Sequence, residues 1–182
     1  MKAGSLAMIQ RQIGKQLLAL GAMLLSPTLL GAAPSQPSFA DRLLIAQNAA
    51  RAAVGVAPMQ WDARLAADAR AWADHLGKTG QFAHSSDEPG AEPQGENLWA
   101  GTKGYYGPEA MVALWAAEKS DYKTGVFPDN SRSGDVERVG HYTQLIWTRT
   151  HAVGCAIARS QSEDVLVCRY SEAGNVTGER PV

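Results

Sequence analysis

Acidic residues are missing from the first forty positions of this 182-residue chain, where Lys2, Arg11 and Lys15 fall. Gln16 to Ala33 is then almost wholly apolar or small. The order basic, apolar, then small and polar is that of an export signal. An unbroken apolar run is also missing, because Ser26-Pro27 interrupts the stretch and roughly 20 continuous apolar residues are needed to span a bilayer. The reading is a signal peptide and short leader over residues 1–40, with Ser38-Phe39-Ala40 placing small residues ahead of Asp41. A retained N-terminal anchor is the second reading.

Basic excess is absent as well. Residues 41–182 hold 14 Lys and Arg against 18 Asp and Glu, a net charge of −4 with histidine neutral. DNA and RNA binding call for a basic stripe, so nucleic acid is excluded as a partner. The 142 residues of this part suit one domain with its own core. No transmembrane segment, repeat or low-complexity run follows Asp41.

Cysteine is scarce: Cys155 and Cys168 are the whole supply. An oxidising destination permits them to pair. His151 to Arg159 and Asp164 to Tyr170 alternate as strands do, and a hairpin centred on Gln161-Ser162 sets Cys155 opposite Cys168. The same register sets Ile157 against Leu166 and Val153 against Tyr170, giving one apolar face. Directly opposed residues lie about 4.5 to 5.5 Å apart at Cα, within reach of a disulfide. Two buried free thiols are the alternative.

Asp41 to Val54 is rich in Leu and Ala and stops at Gly55, which reads as a helix. Asp62 caps a second helix in which Leu65, Ala69, Trp72 and Leu76 share one stripe, ended by Gly77 and Gly80. Residues 81–107 are dense in Gly, Pro, Ser and acidic residues and read as a long irregular segment. Gly107-Pro108-Glu109 opens a third helix running to about Tyr122. A loop follows from Thr124 to Val139, then a short helical stretch from His141 to Trp147, the hairpin, and a terminal turn at Gly174-Asn175. Helices and strands in this order predict an α+β domain with antiparallel pairing.

The third helix carries an anomaly. Met111, Trp115 and Glu118 recur at i, i+4 and i+7, so a carboxylate shares the face of two large apolar residues. Burying that charge unpaired costs several kcal/mol, so Glu118 asks for a cation or a histidine opposite. His84 at the mouth of the irregular segment and His141 after Gly140 are the candidates, and Glu96 is a second carboxylate among glycine and apolar neighbours. His75 and His151 read as surface or hydrogen-bonded structural residues. The tryptophans read as core and cleft wall, and Tyr105-Tyr106 either covers the core or faces a lipid.

Gly140-His141-Tyr142-Thr143-Gln144-Leu145-Ile146-Trp147 resembles the first signature of the CAP superfamily, the group of cysteine-rich secretory proteins, antigen 5 and pathogenesis-related proteins. Gly95-Glu96-Asn97-Leu98 resembles its glutamate motif, and Trp115-x-x-Glu118-x-x-x-Tyr122 its second. His84-Ser85, Val153-Gly154-Cys155 and Val167-Cys168-Arg169-Tyr170 to Gly174-Asn175 complete the resemblance, which covers nearly all of residues 41–182. Glu172 stands where the family's closing motif usually has proline. Gln47-Asn48-x-x-Arg51 resembles an early helix motif that more often begins with histidine. Only one disulfide is available where many relatives have three, and no cysteine-rich domain follows Asn175, so a single-domain member of bacterial type is expected.

The resemblance implies an α-β-α sandwich around a central antiparallel sheet. It implies a cleft in which His84, Glu96, Glu118 and His141 converge, with Ser85 and Gln144 in support. Two imidazoles suit zinc or another divalent metal, with His84 and His141 as ligands. Some relatives bind sterols, fatty acids or phospholipids, and the apolar, Gly-rich Leu98 to Gly107 fits that reading. A secreted or periplasmic, non-enzymatic binding protein is therefore expected first. A signalling or defence module meeting an extracellular protein or cell-wall partner comes second. A metal-dependent hydrolase comes third, because no His-Glu-x-x-His helix or Gly-x-Ser-x-Gly elbow is present.

Overall fold

The computed structural model describes residues 35–86, 90 and 92–182; the expected apolar stretch from Gln16 to Ala33 lies outside them. Among these described residues four α-helices and four strands follow in the order α1 (Phe39–Ala52), β1 (Gln60–Trp61), α2 (Ala63–Thr79), β2 (Gly95–Thr102), α3 (Pro108–Ala117), α4 (Gly140–Leu145), β3 (Ala152–Arg159) and β4 (Glu163–Ser171). Among the described residues no helix is long and apolar enough to cross a membrane.

The hairpin has the register that the cysteines demanded. Cys155 lies opposite Cys168, Ile157 opposite Leu166 and Val153 opposite Tyr170, and the two sulfurs are joined as a disulfide. Strand alternation then sorts the side chains into two layers. Val165 and Val167 of β4 with Ala156 and Ala158 of β3 pack against Ala69, Ala73 and Leu76 of α2. Leu166, Cys168 and Tyr170 with Val153 and Cys155 face the other way, onto Leu43, Met111, Trp115 and Leu145 from α1, α3 and α4. An α-β-α sandwich results. The sheet order is β1-β3-β4-β2, antiparallel throughout except for the two-residue β1, which pairs parallel with β3.

Gly154 is the contact that seats α2: a Cβ there would overlap the backbone of Ala66 and Leu65. Asp62 caps α2 by accepting the Arg64 and Leu65 N–H groups, and Gly80 ends it in the left-handed conformation at φ +69°. Trp72 is half-buried rather than a core residue; its indole Nε1 donates to the Ala83 carbonyl at 3.0 Å, which pins the following segment to the helix.

Two elements differ from expectation. The segment 81–107 contains β2, which pairs with β4 over eight residues. Its glycines resemble loop formers but serve close packing: a side chain at Gly95 would overlap Gln144, and one at Gly101 would meet the Trp99 ring at 2.5 Å. α3 stops at Ala117, and Glu118 to Ser120 tighten into a 3-10 turn. At the other end, α1 begins two residues before Asp41. Ser38 is its N-cap, accepting the Asp41 N–H while the Asp41 carboxylate accepts the Ser38 N–H, so a chain starting at Asp41 would lack this cap.

Arg51 fixes α1 to the rest. It is 1% exposed and its guanidinium donates to four carbonyls: Nε to Ala57 at 2.7 Å, Nη1 to Leu145 and Trp147 at 2.9 Å each, and Nη2 to Thr150 at 2.7 Å. Burial lowers its pKa from the usual arginine value, opposed by the neighbouring Tyr170. Removing the fork would orphan buried carbonyls at about 1–3 kcal/mol for each lost partner. Arg51→Met should therefore cost about 3–5 kcal/mol in urea unfolding; a loss below about 1 kcal/mol would show that the four bonds do not carry that part of the fold.

Candidate functional site

The Glu118 anomaly resolves at the end of α3. The 3-10 turn swings its carboxylate onto the first turn of α4, where Oε2 accepts the backbone N–H groups of His141 and Tyr142, each at 3.0 Å. Oε1 meets His141 Nδ1 at 2.6 Å. Trp115 lies beside this pair, its ring nearly parallel to that of His141 at 11° with centroids 5.9 Å apart. The charge is thus held by three hydrogen-bond donors with an apolar wall next to it, and needs no arginine or lysine.

A second pair forms at the start of β2. His84 Nδ1 meets Glu96 Oε1 at 2.7 Å, and the Ser85 N–H donates to the same oxygen at 3.1 Å. The Glu96 side chain is 7% exposed while His84 is 64% exposed. Arg169 stands directly across the strand pair from Glu96, and its Nε lies 3.0 Å from Oε2. That contact is an ion pair whose atoms are not aligned as a hydrogen bond. The Glu96 hydrogen bond raises the His84 pKa above the usual imidazole value, burial and the Arg169 charge working against it.

The structure thus arranges the four residues as two His–Glu pairs, His84 with Glu96 and His141 with Glu118, with no hydrogen bond between the pairs among the described residues. Asn97 joins them. It follows Glu96 on β2, is 1% exposed, and its amide donates to the His141 carbonyl and to the Tyr170 hydroxyl, both at 3.2 Å. Tyr170 in turn donates to Gln47 Oε1 at 2.8 Å, and the Gln47 amide lies 3.5 and 3.7 Å from the two disulfide sulfurs. Burial raises the Tyr170 pKa far above the usual phenol value, so the hydroxyl stays protonated as a donor.

The supporting residues sit differently from a cleft rim. Gln144 is buried, with Nε2 donating to Thr150 Oγ1 at 3.1 Å and Oε1 accepting the Gly174 N–H at 2.8 Å. It pins the closing turn instead. Ser85 contributes its backbone N–H; its hydroxyl bonds neither histidine among the described residues. His75 and His151 are both exposed. Tyr106 packs edge-on against Trp99, and Tyr105, 76% exposed, packs on Tyr106. Arg169 and Asn97 escaped the sequence reading because their roles depend on β2 pairing with β4. An opposite-charge partner for Glu96 becomes visible only with that register.

A carboxylate on Nδ1 sets the tautomer that leaves Nε2 with its lone pair, the usual outer-shell arrangement behind a metal-bound histidine. The ligand count does not reach that of a closed structural site. Among the described residues no group of three or more His, Cys, Asp or Glu is placed to hold an ion.

The family model described as "CAP: Cysteine-rich secretory protein family" matches residues 44–170. The chain is 38% identical over 148 residues to pathogenesis-related protein 1 of Arabidopsis thaliana, covering 81% of this chain and 84% of that protein. It is 37% identical over 146 residues to pathogenesis-related protein PR-1 of Medicago truncatula, covering 79% of each. The crystal structure of NaASP2 with Zn2+ has the same fold at a TM-score of 0.65, with 22% identity, 80% of this chain and 85% of that one covered. Plant and parasite proteins make up these matches, so the expected bacterial affinity has no support.

The raised His84 pKa has a definite sign for stability. The charged pair contributes fully below about 6.5 and its contribution is lost as pH climbs through the higher folded value. An NMR titration should put His84 above its unperturbed position and move it down in Glu96→Gln. An unchanged midpoint in that variant would contradict the pairing.

Proposed function

The chain belongs to the cysteine-rich secretory protein family, and we propose that it works outside the cell as a non-enzymatic, defence-type binding module whose divalent-cation donors are His84 and His141. One observation carries this reading: each imidazole is held through Nδ1 by its own carboxylate, at 2.7 and 2.6 Å. Each ring is thereby left with Nε2 outside its carboxylate contact. A bound divalent ion would supply a dense charge able to take an oxygen ligand from a partner. Glu96 and Glu118 orient and support the rings, and Asn97 holds the two pairs at a common strand.

Export agrees with the basic, apolar and small leader pattern and with the similarity to plant pathogenesis-related proteins. The hydrolase reading is weaker because neither carboxylate is available as a base. Both Glu118 oxygens are engaged, and Glu96 is shared between His84, Ser85 and Arg169. The lipid reading loses its main segment. Leu98 and Trp99 are buried in β2, leaving Tyr105 as the exposed aromatic there.

Calorimetric titration of zinc into metal-free protein at pH 7.5 tests the proposal. Binding should be saturable and at least tenfold weaker in the double variant His84→Ala/His141→Ala. It should also weaken as the pH falls, because ligating histidines must be neutral, with competition at His84 starting above about 6.5. Equal affinity in parent and double variant would remove the cation role.

A further inference from the structure

Asn175-Val176-Thr177 has the Asn-x-Thr form that accepts an N-linked sugar on exported chains. Thr177 is exposed and Asn175 half-buried, so by position the triplet is a surface acceptor. Its backbone is not free to behave as one. Asn175 lies in the left-handed region at φ +57°. Ahead of it, the Gly174 N–H donates to Gln144 Oε1 at 2.8 Å. Behind it, the Glu179 N–H donates to the Val176 carbonyl at 3.1 Å and closes a turn. That turn is tied to Phe127: the Gly178 N–H donates to the Phe127 carbonyl at 2.9 Å, and the Phe127 N–H donates to the Glu179 carbonyl at 2.7 Å.

The side chain is engaged as well. The Thr143 hydroxyl donates to Asn175 Oδ1 at 2.6 Å, and Asn175 Nδ2 donates to the Gly140 carbonyl at 2.9 Å. A carbonyl only accepts, which settles the orientation of the amide. Thr143 Oγ1 itself lies 3.1 Å from the Gly140 oxygen. Two partners so close together are met by the amide oxygen and by the N–H on the oxygen's side, because the other N–H points back along Cβ. Gly140 opens α4, so that one hydrogen ties the closing turn to the start of the helix.

Transfer from a lipid-pyrophosphate-linked oligosaccharide joins sugar C1 to Nδ2, releases the lipid pyrophosphate from C1 and removes one Nδ2 proton. The resulting amide is planar and trans, as a peptide bond is, so the sugar carbon replaces the hydrogen on the oxygen's side. With the Gly140 oxygen 2.9 Å from Nδ2, that place has room for a hydrogen and not for a carbon. We propose that N-glycosylation of Asn175 and seating of α4 exclude one another. The unfolded chain is an acceptor, the folded chain is not, and a chain modified before folding cannot place His141, the second residue of α4. None of this depends on the cation reading, and metal binding is not among its readouts.

Incubating the exported chain with microsomal oligosaccharyltransferase and a lipid-pyrophosphate-linked oligosaccharide tests it, with mass spectrometry of the product. The reduced, unfolded chain should be modified at Asn175 at least tenfold more than the native chain. The modified chain is then reoxidised and trimmed to one N-acetylglucosamine. Its Thr143 to Ile146 amides should exchange at least tenfold faster than those of unmodified chain treated alike. Asn175→Gly accepts no sugar and suits the left-handed backbone, and it should speed exchange of the same amides by loss of the side-chain bonds alone. Equal modification of native and unfolded chains, or no modification of either, would overturn the proposal. So would α4 exchange no faster than in the parent, whether in the trimmed product or in Asn175→Gly.

Discussion

A guanidinium buried without a carboxylate is among the costlier groups a core can hold, and Arg51 is satisfied by four backbone carbonyls instead. Its four acceptors come from the connector after α1, the end of α4 and the turn before β3. Those segments must therefore converge on α1. The end of α4 is fixed by that requirement, and its start is fixed by the Asn175 amide, which donates to the Gly140 carbonyl at 2.9 Å. A helix of only six residues, too short to be stable alone, is held at both ends. Its first turn can then take the Glu118 carboxylate, and His141 is placed as a consequence.

From His141 a continuous set of buried hydrogen bonds runs through Asn97 and Tyr170 to Gln47 beside the disulfide. Asn97, Tyr170 and Gln47 are almost fully buried, so the bonds among them have no water to replace them. Asn97 shares its strand with Glu96, and the network thereby couples the two histidine pairs without a hydrogen bond between them. Rigid support of this kind is what a binding group needs to keep its donor atoms in place. The sheet supplies the other half: Arg169 and Glu96 oppose one another because β2 and β4 pair in that register.

Much of this was legible in the residues alone. Two cysteines thirteen apart, flanked by alternating strands, favoured a tight hairpin with the cysteines opposed over two free thiols, and the observed pairing is that hairpin. The i, i+4, i+7 spacing of Met111, Trp115 and Glu118 exposed a carboxylate in need of donors, though the donors proved to be backbone N–H groups as much as an imidazole. What stayed hidden depended on β2. Gly95, Asn97 and Gly101 argue for a loop by propensity, yet the glycines are there because Gln144 and the Trp99 ring occupy the space of a side chain. Tertiary packing outweighed local preference. With the strand unread, neither the Arg169 partner of Glu96 nor the linking role of Asn97 was accessible. The α2 pattern gave the helix but placed Trp72 in the core, whereas its indole turns to the segment that carries His84.

Both imidazoles are gripped at Nδ1, and neither Nε2 has a hydrogen-bond partner among the described residues. Long-range 1H–15N NMR of the histidine rings above pH 8.5 reads that property directly, since the two neutral tautomers give different cross-peak patterns. His84 and His141 should both appear with the proton on Nδ1 and an unprotonated Nε2. Finding either ring with its proton on Nε2 would contradict the grip, and with it the use of these histidines as donors.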